Sequence, residues 1–173
     1  MKKVLIDSSS AILLFKSGLF DRLINIFEVI ISNSVYKELT IKALAGSNEF
    51  KNYIQNHKIT VCRPQVDNLF SFHKADSLLK LDAGEQDTIL MFQKGNADFI
   101  MIDDGKGAGY CRQNQIPYIN ALLFPKILLF SDNISQTECR SSIELVIALG
   151  RYSREIIEYA LRCDKENLEF FLP

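Results

Sequence analysis

Apolar and polar positions alternate along the chain in blocks whose period switches between that of a strand and that of a helix. "KKVLID" (2–7) is a short β-type run that ends in an aspartate, and "EVIIS" (28–32), "KITVC" (58–62) and "DFIMI" (98–102) read as three further strands. "PYIN" (117–120) reads as a short fifth. Between them, "SSSAILLFKSG" (8–18) carries serine caps and a glycine stop for a helix, and "LFDRLINIF" (19–27) has helical periodicity. "NSVYKELTIKALAG" (33–46) places Val35, Leu39 and Ala43 on one face and ends at Gly46, and "SNEFKNYIQN" (47–56) continues as helix. Two more helices are expected over 67–79 and 83–95, and "GKGAGYCRQNQ" (105–115) is a glycine-rich helix start.

This alternation predicts a parallel sheet with helices on both faces. After Asn120 the pattern is helical only. Pro125 breaks or kinks "ALLFPKILLF" (121–130). Ser135 and Glu138 have capping-box spacing at the head of a helix over 135–150, and "SREIIEYALRC" (153–163) follows "GRY" as the second arm of a helical hairpin.

Composition narrows the possibilities only slightly. The 173 residues are 47% hydrophobic, enough for a proper core in one domain, and no run is long and apolar enough to span a membrane. Asp7 interrupts the N-terminal apolar run too early for a secretory signal, so a soluble, cytoplasmic protein is expected. Cys62, Cys111, Cys139 and Cys163 show neither zinc nor disulfide spacing and read as reduced packing residues. His57 and His73 stand alone in sequence, without an acid–base partner. A net charge of −1 gives no support for uniform nucleic-acid coating, although a local basic patch remains open.

The candidate chemistry lies in carboxylates. Asp7 ends the first strand, and Asp103 with Asp104 ends the fourth. Ligands of doubly wound sheets bind beyond the carboxyl ends of strands, where strand order reverses. If strands one and four are neighbours, Asp7 and Asp103 converge on one crevice. Glu38 lies near the start of the helix after strand two, and Glu85 in the first turn of the helix before strand four. Each has a plain structural reading: Asp7 as a helix cap, Glu85 as the partner of Asp82 in a capping box, Glu38 as a solvated charge, and "DDG" as a turn. Together they would repel, and a hard divalent cation with oxygen ligands offsets such repulsion.

The stretches "VLIDSSSAILLFKSG", "SNSVYKEL", "LDAGEQDTILM" and "DFIMIDDGKGAGYC" resemble, in order and spacing, the PIN-domain family of nucleases. The resemblance covers residues 1–125 and implies a three-layer α/β/α fold with a central parallel sheet of four or five strands, leaving 126–173 as a C-terminal helical extension. It further implies Mg²⁺- or Mn²⁺-dependent cleavage of RNA, as in toxins of toxin–antitoxin pairs, with an antitoxin partner and self-pairing as a homodimer. Carried over by position, Asp7, Glu38, Glu85 and Asp103 are the catalytic, metal-binding acids, and Asp104 assists them. Ser8 matches the small hydroxyl residue after the first acid. The family arginine five residues after the first aspartate of the pair is replaced by Ala108, and Lys106 is the candidate substitute for gripping substrate phosphate.

Three other readings compete. A haloacid-dehalogenase-like phosphatase needs an aspartate where Ser9 stands, and a dinucleotide-binding glycine motif needs glycine at Tyr110. A PIN-like protein that no longer cleaves, and serves as a binding or assembly module, is favoured by Ala108 and opposed by the four acids.

Overall fold

The computed structural model describes residues 1–41, 46–63 and 78–173. The helix expected over 67–79, His73 and the end of the helix expected over 33–46 therefore lie wholly or mostly outside the described residues. Five strands, β1 (Lys3–Ile6), β2 (Glu28–Ser32), β3 (Ile59–Cys62), β4 (Phe99–Met101) and β5 (Tyr118–Ile119), form one sheet in the order β3-β2-β1-β4-β5. Every pairing is parallel, with Leu5 opposite Ile30 on one side and Ile100 on the other. The chain moves outward from β1 through β2 to β3, then crosses back to place β4 on the free side of β1. The switch point thus falls between β1 and β4, the two strands that lead into aspartates.

Strand side chains alternate between two cores, as the two-residue period requires. Val4, Ile6, Val29, Ile31, Phe99 and Met101 face one helical layer, while Leu5, Ile30, Ile100 and Ile102 face the other. The first layer contains α1 (Ser8–Lys16), α2 (Phe20–Ile26), α4 (Ser47–Gln55) and α7 (Phe124–Phe130); the second contains α5 (Ala83–Gln93) and α6 (Gly105–Gln113). Both faces of the central strands are covered. Burial of each branched side chain there contributes about 1.5–3 kcal/mol.

Among the described residues the helical signals in the sequence hold with two adjustments. α3 (Asn33–Leu39) is shorter than the expected 33–46 helix, because Thr40 takes the C-cap and turns its hydroxyl back onto the Tyr36 carbonyl at 2.7 Å. Pro125 does not kink a helix. It sits in the first turn of α7, where its missing N–H costs nothing, after a separate 3₁₀ turn at Ala121–Leu123.

Both capping boxes, Asp82 with Glu85 and Ser135 with Glu138, are formed. The hairpin consists of α8 (Gln136–Leu149) and α9 (Arg154–Arg162), followed by α10 (Lys165–Leu168). Ile143 and Val146 of α8 and Ala160 of α9 enter the same core as β1 and α1. Ile147 and Ile157 pack at its margin, whereas Ile156, Tyr159 and Leu161 are exposed.

Candidate active site

The backbone of Asp7 extends the β1–β4 ladder by one bond, its N–H donating to the Met101 carbonyl at 3.1 Å. Its side chain then caps α1. Oδ1 accepts from the Ser10 N–H at 2.8 Å and Oδ2 from the Ser9 hydroxyl at 2.5 Å. The cap reading and the acidic-site reading of Asp7 are therefore compatible. The side chain is almost completely buried, and this burial, reinforced by the charge of Asp103, pushes its carboxyl up to about 6 despite the serine hydrogen bonds.

The paired aspartates divide their tasks. Asp103 turns inward: Oδ2 accepts from the Ala121 N–H at 3.0 Å and Oδ1 from the hydroxyl of Tyr152. Burial raises its carboxyl above the usual range in spite of these donors. Asp104 turns to α6 as its N-cap, accepting from the Lys106 N–H at 2.7 Å. Burial would raise Asp104, but hydrogen bonding with Glu85, the two backbone donors and the Lys106 charge together bring it below the usual range. "MIDDG" thus splits its negative charge between an inward-facing acid and a cap.

Glu85 is 4% exposed and closes the capping box at the start of α5, with Oε2 accepting from the Asp82 N–H at 3.1 Å. Its Oε1 is buried and meets no donor. Burial, reinforced by the neighbouring Asp104 carboxyl, pushes Glu85 up to about 8. One glycine leaves room for Glu85 and another for Glu38. A Cβ at Gly107 would collide with the Ile102 side chain and stand 3.0 Å from Glu85 Oε1, and one at Gly84 would stand 3.0 Å from Glu38 Oε1. Glu38 projects from α3 against the first turn of α5 and accepts from the Ser8 hydroxyl. The Cys111 thiol lies beneath the group and is pushed up to about 12 by burial and the charges of Glu85 and Asp7.

The structure therefore sets Asp7 beside Asp103 and Glu85 beside Asp104 at the β1–β4 switch point, with Glu38 and Ser8 adjoining through α3 and α5. The side chain of Lys106 is exposed beside Lys80, Tyr110 and Gln113, on a groove that does not include Asp103. Among the described residues no three His, Cys, Asp or Glu side chains stand close enough to enclose an ion as they are arranged. Hydroxyls of Ser8, Ser9 and Tyr152 occupy carboxylate oxygens instead. The donor chemistry nonetheless fits a hard cation: all the acids are oxygen ligands, and the buried Glu85 Oε1 meets no hydrogen-bond donor among the described residues.

Sequence reasoning missed Tyr152, which reaches Asp103 from 49 positions away. "GRY" carried no signal beyond a link between helices.

No curated protein matches the chain. A family model described as a PIN domain does, over residues 3–162, which takes in all five acids and the helical hairpin. PIN domains are generally nucleases, they act on nucleic acid, and they generally use divalent metals. Among the described residues no helix is long and apolar enough to cross a membrane. The five-stranded parallel sheet between helical layers, the acids at its switch point and the extent of that match lead to one conclusion: the chain belongs to the PIN-domain family.

Proposed function

We propose that this protein is a metal-dependent ribonuclease that hydrolyses phosphodiester bonds of RNA. The observation that carries the reading is the placing of Asp7 with Asp103, and of Glu85 with Asp104, at the β1–β4 switch point, where burial holds Asp7 and Glu85 above their ordinary pKa. Asp7, Glu38, Glu85 and Asp103 would hold Mg²⁺ or Mn²⁺, and Asp104 would assist. Bound there, the ion supplies a water activated near neutral pH and stabilises charge on the leaving oxygen.

The chain's own residues do the rest. Ser9 and the α1 amides orient Asp7. Tyr152 and the Ala121 amide fix Asp103. Glu85, closed into the capping box by the Asp82 N–H, would present its buried Oε1 to the ion. Ser8, which in this structure donates to Glu38, and Lys106 would face the substrate.

In this reading residues 1–125 carry the acids and 126–173 form the helical extension. We further assign the protein to the cytoplasm, as the toxin of a toxin–antitoxin pair that also forms a homodimer. The exposed Ile156, Tyr159 and Leu161 of α9 support a protein-binding face. The second reading, a PIN-like binding module without catalysis, is favoured by the hydroxyl-bonded carboxylates and by the absence of a ready-made ion cage among the described residues.

An RNA cleavage assay separates the two. Cleavage should stop in EDTA, return with Mg²⁺ or Mn²⁺, and disappear in Asp7→Asn and Asp103→Asn while circular dichroism stays native. Full activity in either variant excludes the proposed site, and no cleavage by the wild type with metal favours the binding module.

A further inference from the structure

Two open grooves meet at the acid site. The first, about 450 Å³, passes Ser9, Ile12 and Lys16 of α1. The second, about 670 Å³, passes Ala108 and Arg112 of α6 and runs to Tyr159 of α9. Asp103, Gly105, Arg151 and Tyr152 line both. The α8–α9 turn is thus the ridge between the two grooves, standing over Asp103.

That turn is built to hold its place. A Cβ at Gly150 would run into the Tyr152 ring and stand 3.0 Å from the Val146 carbonyl oxygen, so the ring lies against a position only glycine leaves clear. The Tyr152 hydroxyl is anchored on Asp103, and Ser153 caps α9 by accepting from the Ile156 N–H at 3.4 Å. Arg151 therefore projects from between two fixed residues. It is exposed, and among the described residues it has no ion pair or hydrogen bond. Nearby charges are engaged elsewhere: Arg154 pairs with Glu158 at 2.7 Å, and Glu155, which lines the second groove, is hydrogen-bonded by Ser153.

An exposed guanidinium with no partner among the described residues, carried on a turn held beside a group of acids, is open to a ligand anion. Its planar fork matches a phosphate, and an acidic site needs a cation at its edge if a polyanion is to approach it. Each groove also holds a cation of its own, Lys16 in the first and Arg112 in the second. Arg112 lies one helical turn beyond Ala108 on α6, so it shares that face of the helix.

We propose that Arg151 is the principal substrate-phosphate contact of this site, held over Asp103 by Tyr152, and that Lys16 and Arg112 receive the phosphates on either side. The proposal rests on the ribonuclease reading. Arg151 is a binding residue, and Tyr152 is a positioning residue that acts through the turn and through Asp103.

The test measures binding of a short fluorescein-labelled RNA oligonucleotide by anisotropy across a salt titration, in full-length Asp7→Asn protein so that cleavage does not intervene. Adding Arg151→Ala should weaken binding and flatten the log–log salt slope by about 0.7, the loss of one phosphate contact on a single strand. Arg151→Lys should keep the slope and recover only part of the affinity. In otherwise wild-type protein, Arg151→Ala should raise KM several-fold with Mn²⁺ affinity unchanged. Tyr152→Phe, which retains the Arg151 charge, should lower kcat and leave the salt slope intact. A wild-type slope and KM in Arg151→Ala, in a protein that cleaves RNA, overturns the proposal and leaves the nuclease reading standing. If the wild type neither binds nor cleaves RNA, both fall.

Discussion

Replacing Glu85 with glutamine should stabilise the metal-free protein at alkaline pH. The acid is 4% exposed, one of its oxygens has no partner, and its carboxyl is raised from 4.5 to about 8. The folded state thus binds this proton more tightly than the unfolded state. Its contribution to stability is complete below the unfolded value and is lost as pH rises through the folded one. Integrated from about pH 6.5 to about pH 8.5, a group of this pKa would cost at most roughly 2 kcal/mol, and Asp104, lowered from its ordinary value and so ionised folded and unfolded alike, adds nothing over this range.

Glutamine preserves the shape and the essential bonds. Its carbonyl can accept from the Asp82 N–H as Oε2 does, and its amide can donate to Asp104 as the protonated acid does. Urea unfolding in EDTA at the two pH values is the assay. The wild type should lose up to about 2 kcal/mol on going to the higher pH, and Glu85→Gln should lose little of it and exceed the wild type there. A wild type equally stable at both values, or a variant with the same pH slope, would refute the electrostatic account of the site.

Three other outcomes follow from the same geometry. Lys106→Ala should flatten the salt dependence of RNA binding by up to about 0.7 log–log units, with Mn²⁺ affinity nearly unchanged; an unaltered titration would make it a solvated residue. Gly107→Ala should lower stability by about 1–3 kcal/mol in thermal unfolding, because the new methyl crowds the Ile102 side chain and Glu85 Oε1. Ile143→Glu, at a 4% exposed core position, should give an unfolded or aggregated chain, whereas Leu161→Glu, at 56% exposure, should fold normally and lose self-association or antitoxin binding in size-exclusion chromatography. A well-folded Ile143→Glu would contradict the packing of α8, and unchanged association in Leu161→Glu would remove α9 from the interface.

Local chemistry was the legible part of this molecule. The five strands, the two capping boxes and the positions of Asp7 and Asp103 at strand ends each depend on a few neighbouring residues, and each could be read from periodicity and turn chemistry. The adjacency of β1 and β4 could only be posed as a condition, because strand order is a property of the whole sheet. The helix over 33–46 was overextended because apolar spacing carried past Thr40, whose hydroxyl bonds back to Tyr36 and helps end α3. Tyr152 was illegible for the same reason as the strand order: its hydrogen bond to Asp103 spans 49 positions, and nothing local in "GRY" marks it. Repulsion between the acids was anticipated, but its partial relief by Ser8, Ser9 and Tyr152 hydroxyls depends on rotamers that no sequence pattern encodes.

The most direct test of the central claim, that these acids form a metal-dependent catalytic site, is calorimetric titration of Mn²⁺ into the metal-free protein at neutral pH, repeated in buffers of different ionisation enthalpy. Glu85, held up to about 8 by burial and the neighbouring Asp104 carboxyl, should give up its proton as the cation binds, so the heat should depend on the buffer. Binding should be lost or greatly weakened in Asp7→Asn and Asp103→Asn, and the buffer dependence should shrink in Glu85→Gln, leaving only the protons released by Asp7 and Asp103. Mn²⁺ binding that is undiminished in both aspartate variants, or no binding by the wild type at all, would contradict the account.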